Sequence, residues 1–244
     1  MSTAPRPARR DLLRLYERLR ARFGHAGWWP GDSPLEVCVG AVLVQNTAWV
    51  NVERTLRTLR ARGLLAYQAL DRLPASRLAP LLRSSGTFRV KARRLRALLD
   101  FLGSECGGRV ERLRERIPAE LRQGLLAVSG VGPETADTIL LYAAGHRAFV
   151  VDAYTRRIAS RLGWLRGDEP YADVQRFFVE RLPRRAALYN DFHAQLVRLG
   201  KDVCRPRPRC ARCPLEDLCP KRFIPRAQRP AVARGNLVPS GKPR

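Results

Sequence analysis

Residues 129–136 read Ser-Gly-Val-Gly-Pro-Glu-Thr-Ala and join two segments, 121–128 and 133–143, that we predict to be helices. The glycines allow a tight turn and a close approach of another molecule to the backbone. The proline suits the first position of the second helix, where its missing N–H group would have no partner. The free N–H groups at that helix start can bind an anion such as a DNA phosphate. The alternative is a helical hairpin whose glycines serve packing alone. The residues predicted to contact the phosphate are Gly130, Val131 and Gly132.

A single aspartate, Asp152, follows twenty residues after Gly132. Asp152 precedes a predicted helix, and aspartate is a preferred N-cap residue, so capping alone would explain its presence. A cap can leave one carboxylate oxygen free. That oxygen could stabilise positive charge developing on a deoxyribose, or orient a water molecule to attack it. We therefore predict that Asp152 is catalytic.

The net charge is the most unusual bulk property of the chain. The chain has 244 residues and a formal net charge of +24, spread along its length. Such a field attracts polyanions, which favours nucleic acid as the partner and an anionic membrane surface as the weaker alternative. Arginine supplies almost all of this charge, and arginine effectively cannot lose the proton that Schiff-base chemistry must remove. The amines that could do so are Lys91, Lys201, Lys221 and Lys242.

The cellular setting follows from two features of the sequence. No apolar run approaches the length of a membrane span, and residues 1–10 lack the apolar core of a secretory signal. We therefore expect a cytoplasmic, nucleoid-associated protein with reduced cysteines and no membrane partner. In such a setting, six cysteines suggest metal binding before disulfides.

Four of the cysteines fall within sixteen residues, with the spacing C-x5-C-x2-C-x5-C. Zinc ligands usually come as two close pairs. This loop has one close pair flanked by two outliers, which better suits the four corners of a [4Fe–4S] cluster. Zinc and disulfides stay open as alternatives. The predicted ligands are Cys204, Cys210, Cys213 and Cys219. The other two cysteines, Cys38 and Cys106, are expected in the hydrophobic core.

The remaining pattern is helical, and the predicted fold class is all-α. Apolar residues recur every three or four positions from residue 35 to about 143, with breaks at glycine and serine clusters. The apolar run at 149–151 is too short to predict a sheet. Residues 223–244 are rich in proline, arginine and glycine, contain no acid, and are predicted to be disordered. Further helices are predicted at 11–23, 153–162, 171–182 and 186–200.

These features, in this order, resemble the endonuclease III family of helix-hairpin-helix DNA glycosylases over roughly residues 10–222. The turn is similar to the family's L-P-G-V-G turn, and Asp152 matches its catalytic aspartate. The resemblance implies two helical domains, an active site in the cleft between them, and a [4Fe–4S] cluster in the cysteine loop. The implied units are a six-helix barrel at 32–146 with the hairpin at about 121–143, an iron–sulfur domain of 1–31 plus 147–222, and a basic tail at 223–244.

The resemblance also implies residues that contact DNA. Gln45, in Val-Gln-Asn-Thr at 44–47, is similar to the glutamine that enters the space left by a flipped base. Residues 86–92, Gly-Thr-Phe-Arg-Val-Lys-Ala, resemble the family's G-L-Y-N-x-K-A segment, whose bulky residue wedges into the duplex. On this basis Gln45, Phe88 and Lys91 are expected to bind DNA.

Three positions depart from the family pattern. The first cysteine gap is one residue shorter than the usual six, which puts the geometry of the loop in question. Thr87 stands where leucine is usual, so Phe88 or Gln45 is expected to act as the wedge. Glu134 stands where bifunctional members keep the Schiff-base lysine, and a glutamate cannot form an imine with the sugar. We therefore predict a monofunctional enzyme that removes a base and leaves the strand intact. Lys201 could restore lyase chemistry only by reaching the sugar.

Tryptophans are the remaining clue to the base. Trp28-Trp29-Pro30 and the segment that ends at Trp49 resemble the 3-methyladenine glycosylase branch more than the pyrimidine-lesion branch. A 3-alkylpurine is cationic and electron-poor, so it stacks well between aromatic faces. We predict that Trp28 and Trp49 sandwich the base. Relatives without a cluster keep a pocket lysine nearby, so Lys201 is a further pocket candidate. The alternative is core packing, which we expect of Trp164.

The leading prediction is a monomeric, monofunctional DNA glycosylase that acts on an alkylated purine in double-stranded DNA. One alternative is a pyrimidine-lesion or mismatch glycosylase of the endonuclease III type. A second is a non-catalytic protein that binds damaged or bent DNA, against which Asp152 argues, because a carboxylate beside phosphates does not help binding alone. A third is a zinc-stabilised DNA-binding domain.

Overall fold

The computed structural model describes residues 7–29 and 31–221, and within them the chain forms helices and no strand. The predicted all-α class is confirmed. The tail at 223–244 and Lys242 lie outside the described residues. Within the described part there are also 3₁₀ turns at Arg83–Ser85, Val110–Glu115 and Cys210–Arg212, and a π turn at Ile139–Ala143. The helices are α1 (Arg9–Phe23), α2 (Pro34–Leu43), α3 (Trp49–Ala61), α4 (Tyr67–Asp71), α5 (Ala75–Leu81), α6 (Phe88–Cys106), α7 (Pro118–Ala127), α8 (Pro133–Thr138), α9 (Ala153–Arg161), α10 (Tyr171–Arg181) and α11 (Ala186–Asp202).

Buried apolar side chains form two clusters. The first cluster draws on residues 35–144 and surrounds α2, a helix in which nine of ten residues are buried. The second cluster combines α1, α9, α10 and α11 with residues around 149–151. Cys38 and Cys106 are buried in the first cluster, and Trp164 packs against the second, as expected. The two clusters resemble the predicted domains, whose boundaries stay a prediction.

The π turn contributes side chains to both clusters. Ile139 and Leu140 belong to the first cluster, whereas Leu141 belongs to the second and Tyr142 packs against it. The N–H of Ala144 donates to the carbonyl of Ile139, five residues earlier, at 3.0 Å. Such a turn carries one more residue than an α-helical turn, so it changes the direction of the side chains that follow.

An ion pair with a buried carboxylate holds α8. Asp137 is fully buried, and its two carboxylate oxygens accept hydrogen bonds from Arg122 of α7 at 2.7 and 3.2 Å. Gln175 of α10 donates to the same carboxylate at 2.8 Å. A buried charge is tolerated only when it is paired in this way. These contacts join α7, α8 and α10 and thereby fix the direction of the hairpin.

Candidate active site

The two glycines of the hairpin turn have different roles. Gly130 has a φ of +84°, a conformation that favours glycine, and a Cβ there would overlap the side chain of Arg94. Gly132 has a φ of −96°, and a Cβ there would meet no atom within 4 Å. Gly130 is therefore required by the fold itself. Gly132 leaves open space in front of the backbone at the start of α8.

Gln45 joins the chain after α2 to this turn. Its Nε2 donates to the carbonyl of Gly130 and to Oγ1 of Thr135, both at 3.0 Å. Its Oε1 accepts a hydrogen bond from Nη1 of Arg94 at 2.6 Å. In the DNA-free protein, Gln45 thus supports the hairpin. Its predicted contact with DNA stays a prediction and would require these three bonds to break.

Lys91 corrects the sequence-based interpretation. Its side chain is 1% exposed, so it cannot bind DNA from this position as predicted. Its Nζ donates to the carbonyl of Leu43 at 2.7 Å and also to the carbonyl of Ser85. Desolvation by burial, followed by the charge of Arg94, lowers its pKa to about 8. Lys91 therefore holds the end of α2 against the turn before α6.

Phe88 is the first residue of α6 and is half-buried against the first cluster. The guanidinium groups of Arg83 and Arg89 lie 5.7 and 5.8 Å from the centroid of its ring. An aromatic ring flanked by two cations suits a position close to a polyanion. Its predicted role as a wedge stays a prediction.

Asp152 is the N-cap residue of α9, so the capping interpretation holds. Its Oδ1 accepts a hydrogen bond from the N–H of Thr155 at 2.7 Å. Its Oδ2 lies 3.5 Å from Nε2 of His193, and the side chain is 13% exposed. Burial raises the pKa of Asp152, but the contacts with His193 and Thr155 lower it more, and the pKa ends below its usual 3.8. Asp152 is therefore a carboxylate at neutral pH.

His193 and Tyr142 are site residues that the sequence analysis missed. His193 is a buried residue of α11, and its Nδ1 lies 2.6 Å from the hydroxyl of Tyr142 in the π turn. The two residues are 51 positions apart in the chain. A lone histidine in an amphipathic helix carries no sequence signal of this kind, because the helical period predicts only its burial.

Glu134 is the second residue of α8 and lies beside Asp152. Its side chain is exposed, and the neighbouring groups of the protein partly desolvate its carboxyl group. This desolvation, followed by the charge of Asp152, raises the pKa of Glu134 to about 7, and His193 and Arg156 oppose the rise. Because the side chain is exposed, solvent screens part of the Asp152 charge. The pKa of Glu134 is thus raised above its usual value, whereas the pKa of the neighbouring Asp152 is lowered below its usual value.

The two candidate pocket tryptophans, Trp28 and Trp49, form one aromatic group with Trp29. The ring centroids of Trp29 and Trp49 are 5.1 Å apart, and those of Trp29 and Tyr142 are 5.4 Å apart. Trp28 and Trp49 have centroids 6.1 Å apart and planes tilted by 47°. A base between two stacked rings needs parallel planes about 7 Å apart. Trp28 and Trp49 do not have this arrangement in the DNA-free protein, so a base could enter between them only after the rings move.

Lys201, the predicted pocket lysine, lies near the end of α11. It is exposed, and among the described residues it has no hydrogen bond or ion pair. It follows His193 by eight residues, which is roughly 12 Å along a helix axis. The structure therefore does not bring Lys201 into contact with Asp152 or the tryptophans. Lys221 pairs with Glu216 in the cysteine loop at 2.9 Å.

The four cysteines of the loop line one cavity, which also contacts Val203, Pro208 and Arg161. Nη1 of Arg161 lies 3.2 Å from Sγ of Cys204, and the N–H of Lys221 lies 3.4 Å from Sγ of Cys219. N–H donors directed at sulfur are typical of thiolates that ligate iron–sulfur clusters. Within the described residues, no three His, Cys, Asp or Glu side chains are grouped closely enough to hold a single metal ion. The residues present fit a cluster with four separate corners.

The described residues contain no helix long and apolar enough to cross a membrane.

Comparison with known proteins gives a consistent result. Residues 39–184 match the family described as HhH-GPD superfamily base excision DNA repair protein. MJ1434 of Methanocaldococcus jannaschii, a provisionally named DNA repair glycosylase, is 37% identical over 209 residues, which are 85% of this chain and 95% of that protein. Endonuclease III of Thermotoga maritima is 30% identical over 187 residues, which are 76% of this chain and 82% of that protein.

Two solved structures are similar to this one. A 3-methyladenine DNA glycosylase of H. pylori (MagIII), bound to 1,N6-ethenoadenine, has a TM-score of 0.70 at 27% identity, covering 80% of this chain and 98% of that one. Endonuclease III trapped as a covalent intermediate with DNA has a TM-score of 0.75 at 24% identity, covering 88% and 97%. At 24% identity, the similarity to endonuclease III shows that the two chains share a fold.

Proposed function

Because the chain belongs to the HhH-GPD superfamily of base excision DNA repair proteins, we propose that this DNA glycosylase is monofunctional and removes an alkylated purine from double-stranded DNA. The observation that carries the proposal is the cleft itself, where an ionised Asp152 lies beside Glu134. Among the described lysines, none is in contact with Asp152. The cleft thus offers carboxylates and no amine.

Asp152 supports the hydrolytic step. As the glycosidic bond breaks, the base leaves with the bonding electrons and positive charge develops on the sugar. A carboxylate whose pKa is depressed stays negative and stabilises this charge. It can also take a proton from the water molecule that attacks the sugar carbon and pass that proton to solvent. A cationic alkylated purine leaves as a neutral base and needs no proton from the enzyme.

Glu134 supports the monofunctional assignment. Strand cleavage by β-elimination through an imine needs a primary amine close to the sugar, and a carboxylate cannot provide it. The endonuclease III structure similar to this one contains a trapped covalent intermediate. In this chain the residue at the start of α8, next to Asp152, is Glu134. The abasic site is therefore released with the strand intact.

The aromatic group supports an electron-poor base. Trp28, Trp29 and Trp49 lie together, and the chain of contacts continues from Trp29 through Tyr142 to His193 beside Asp152. Aromatic faces bind a flipped cationic base by stacking and cation–π attraction. The similar MagIII structure holds 1,N6-ethenoadenine, a modified purine. Both observations favour a purine with altered charge or shape.

The cysteine loop is proposed to hold a [4Fe–4S] cluster through Cys204, Cys210, Cys213 and Cys219. When bound, such a cluster supplies four metal–thiolate bonds and the capacity to accept one electron. Arg161 donates to Sγ of Cys204 and the backbone N–H of Lys221 donates to Sγ of Cys219, as hydrogen-bond donors do around iron–sulfur clusters. The predicted monomer and the predicted cytoplasmic, nucleoid-associated location stay predictions.

The proposal is tested with a panel of duplexes that each carry one lesion. The panel contains alkylated purines, ethenoadenine, oxidised pyrimidines, uracil and T·G mismatches. Hot alkali reveals abasic sites, and an untreated sample reveals strand cleavage by the enzyme. We expect base release from alkylated purines, little strand cleavage without alkali, and a rate reduced by about 10³-fold in Asp152→Asn. Asparagine can still cap α9, so the variant should fold.

Borohydride trapping separates the two classes of mechanism. The wild-type protein should give no covalent adduct with DNA. Glu134→Lys is the matched positive control, because it supplies an amine beside Asp152, and it should give an adduct. A trapped wild-type species would refute the monofunctional assignment. Base release at the wild-type rate by Asp152→Asn would refute the role of Asp152.

An endonuclease III-type glycosylase is the second candidate, and the 30% identity to the Thermotoga maritima enzyme favours it. It predicts release of oxidised pyrimidines in the same panel, with alkylated purines left intact. Tight lesion binding without release of any base would instead favour a non-catalytic protein.

A further inference from the structure

Three side chains from three segments form a line that ends at the carboxylate of the cleft. The hydroxyl of Tyr142, in the π turn, lies 2.6 Å from Nδ1 of His193. Nε2 of the same ring lies 3.5 Å from Oδ2 of Asp152. The other carboxylate oxygen of Asp152 accepts the N–H of Thr155 and is thereby fixed. His193 is therefore the partner of the oxygen that remains for chemistry.

The proton positions in this line follow from the chemistry of its members. Desolvation by burial, followed by the charge of Asp152, raises the pKa of Tyr142 well above its usual value, so its hydroxyl keeps its proton. The carbonyl of Asn190 lies 3.4 Å from that hydroxyl, which makes Nδ1 at 2.6 Å the closer acceptor. If Tyr142 donates to Nδ1, the ring proton is on Nε2 and faces Asp152. The opposite tautomer would place a lone pair against a carboxylate.

Burial of His193 costs free energy unless both of its ring nitrogens have hydrogen-bond partners. The residue is 4% exposed, and among the described residues its Nε2 has no hydrogen bond of ideal length. A buried N–H without a full partner destabilises the fold by about 1–3 kcal/mol. Catalytic hydrogen bonds are often long in the free enzyme and shorten when substrate binds. The 3.5 Å separation from Asp152 is consistent with such a bond.

We propose that His193 is a positioning residue, which directs Oδ2 of Asp152 towards the sugar, and that Tyr142 fixes the tautomer that this requires. The proposal rests on the proposed function of Asp152. His193 does not touch the reacting atoms in this scheme. It acts by restricting the rotation of the Asp152 carboxylate and by keeping an N–H group on the carboxylate while charge develops on the sugar.

Other charged and titratable groups also face the pair of Asp152 and His193, and each could contribute to a pH dependence. They come from the helix after the hairpin, the π turn, the first turns of α9, and α11. They are Glu134, Tyr142, Tyr154, Arg156, Arg157 and Asp191.

The kinetic test uses three variants and a control under single-turnover conditions with an alkylated-purine duplex. His193→Phe keeps an aromatic ring and removes both nitrogens. His193→Gln keeps an N–H donor near the place of Nε2. Tyr142→Phe removes only the hydroxyl. His146→Phe is the matched control, since the one hydrogen bond of the His146 ring among the described residues is with the carbonyl of Leu113. We expect His193→Phe to lose about 10²-fold in rate, because a misplacement of about 1 Å can cost that much. The glutamine variant should recover most of the loss, and the control should keep the wild-type rate.

The pH profile separates positioning from simple packing. Contact with His193 lowers the pKa of Asp152, and the ionised form is the active one. Removal of the contact raises that pKa, so the acidic limb of the rate profile should move to higher pH in His193→Phe and return towards wild type in His193→Gln. A variant that only loosens packing would lower the rate at every pH alike and leave the limb in place, which would overturn the proposal.

Nuclear magnetic resonance gives a readout that does not depend on activity. The chain has three histidines, so two-bond ¹H–¹⁵N spectra of the imidazole rings are simple to assign with the single variants. At pH 8 the proposal requires the Nε2–H tautomer of His193 in the wild type, and a larger Nδ1–H fraction in Tyr142→Phe. An Nδ1–H tautomer in the wild type, or no change in Tyr142→Phe, would overturn it even if a histidine variant fails to fold. If no lesion is processed by the wild type, the proposed function fails while the spectra still decide the tautomer.

Discussion

The Asp152 cleft and the cysteine loop are held in different ways. In the cleft, polar side chains find protein partners from distant segments, as Gln45 does with Gly130 and Thr135 and as Asp152 does with His193. In the loop, the partners of the α9 arginines are mostly backbone carbonyls. Arg157 donates to the carbonyls of Cys204 and Gly200, and Arg161 donates to those of Arg205 and Pro206.

The two regions differ in what their side chains contact and surround. The arginines hold the backbone of the loop, Arg161 also donates to Sγ of Cys204, and the four cysteines line a common cavity. The cleft contacts join side chains of the protein to each other, whereas the cysteines surround a cavity that a bound group would fill. Binding energy of a group inside the loop would therefore be folding energy.

Loss of a cysteine should have the largest effect on stability. Cys213→Ser removes one proposed ligand, and we expect a loss of about 4 kcal/mol or more, which is roughly 10 °C in Tm for a chain of this size. Asp152→Asn is the matched variant from the cleft and should leave Tm nearly unchanged. Iron content, visible absorption and thermal melts measure both. Equal melting temperatures of wild type and Cys213→Ser would remove the distinction between the two regions.

Lys91→Met tests the support of the cleft. The variant leaves the carbonyls of Leu43 and Ser85 without their buried donor, at about 1–3 kcal/mol each, so we expect a loss of roughly 2–6 kcal/mol in the free energy of urea unfolding. The salt dependence of DNA binding should keep its slope, because a buried lysine releases no counterion. Arg89→Met is the matched exposed variant and should reduce the slope with little change in stability. A reduced slope in Lys91→Met would restore the original prediction of a phosphate contact.

Substitution of the two hairpin glycines should affect different properties, with Gly130 determining stability and Gly132 determining DNA affinity. Gly130→Ala forces a left-handed conformation and an overlap with Arg94, and should cost about 1–3 kcal/mol. Gly132→Ala should change stability by less than about 0.5 kcal/mol. The added methyl occupies the open space before α8, however, and DNA affinity should fall about tenfold. Thermal melts and fluorescence anisotropy measure the two effects, and a reversed order would assign the glycines the opposite roles.

Titration of Glu134 should change the rate of base release by only a few-fold, which is the smallest of the expected effects. Desolvation and the Asp152 charge raise its pKa to about 7, so its negative charge appears as the pH rises through this value. A second carboxylate stabilises positive charge on the sugar, and the single-turnover rate should rise a few-fold between pH 6 and 8. Glu134→Gln should remove this rise and leave the acidic limb of Asp152 in place. A rate that falls through pH 7 would instead indicate that protonated Glu134 acts as an acid.

The helices could be predicted from the sequence, because the apolar period and the N-cap residues that indicate a helix are local. Asp152 was predicted both as a cap and as a site residue, and its cap is present. Helix α11 was predicted to end at residue 200 and continues to Asp202. These elements depend on neighbours within about four residues, which a sequence displays directly.

Other features depend on partners that the sequence does not display. His193 meets Tyr142 across 51 positions, and no local pattern indicates that contact. Lys91 was expected to bind DNA because its segment resembles one of the family, but two backbone carbonyls accept its protons in the interior. The tilt between Trp28 and Trp49 likewise depends on how separate segments pack.

The π turn limits how the gene for this chain can change. The π turn carries side chains of both clusters within a few positions, with Leu140 and Ala144 in the first cluster and Leu141 in the second. It contains one residue more than an α-helical turn. Deletion of a single codon in 139–143 would rotate everything on one side by about 100° relative to the other, and Tyr142 would no longer meet His193. A change in the length of this segment would therefore disturb both clusters at once, whereas a replacement acts at a single side chain. The length of this five-residue segment thus determines how the residues before it are oriented relative to those after it.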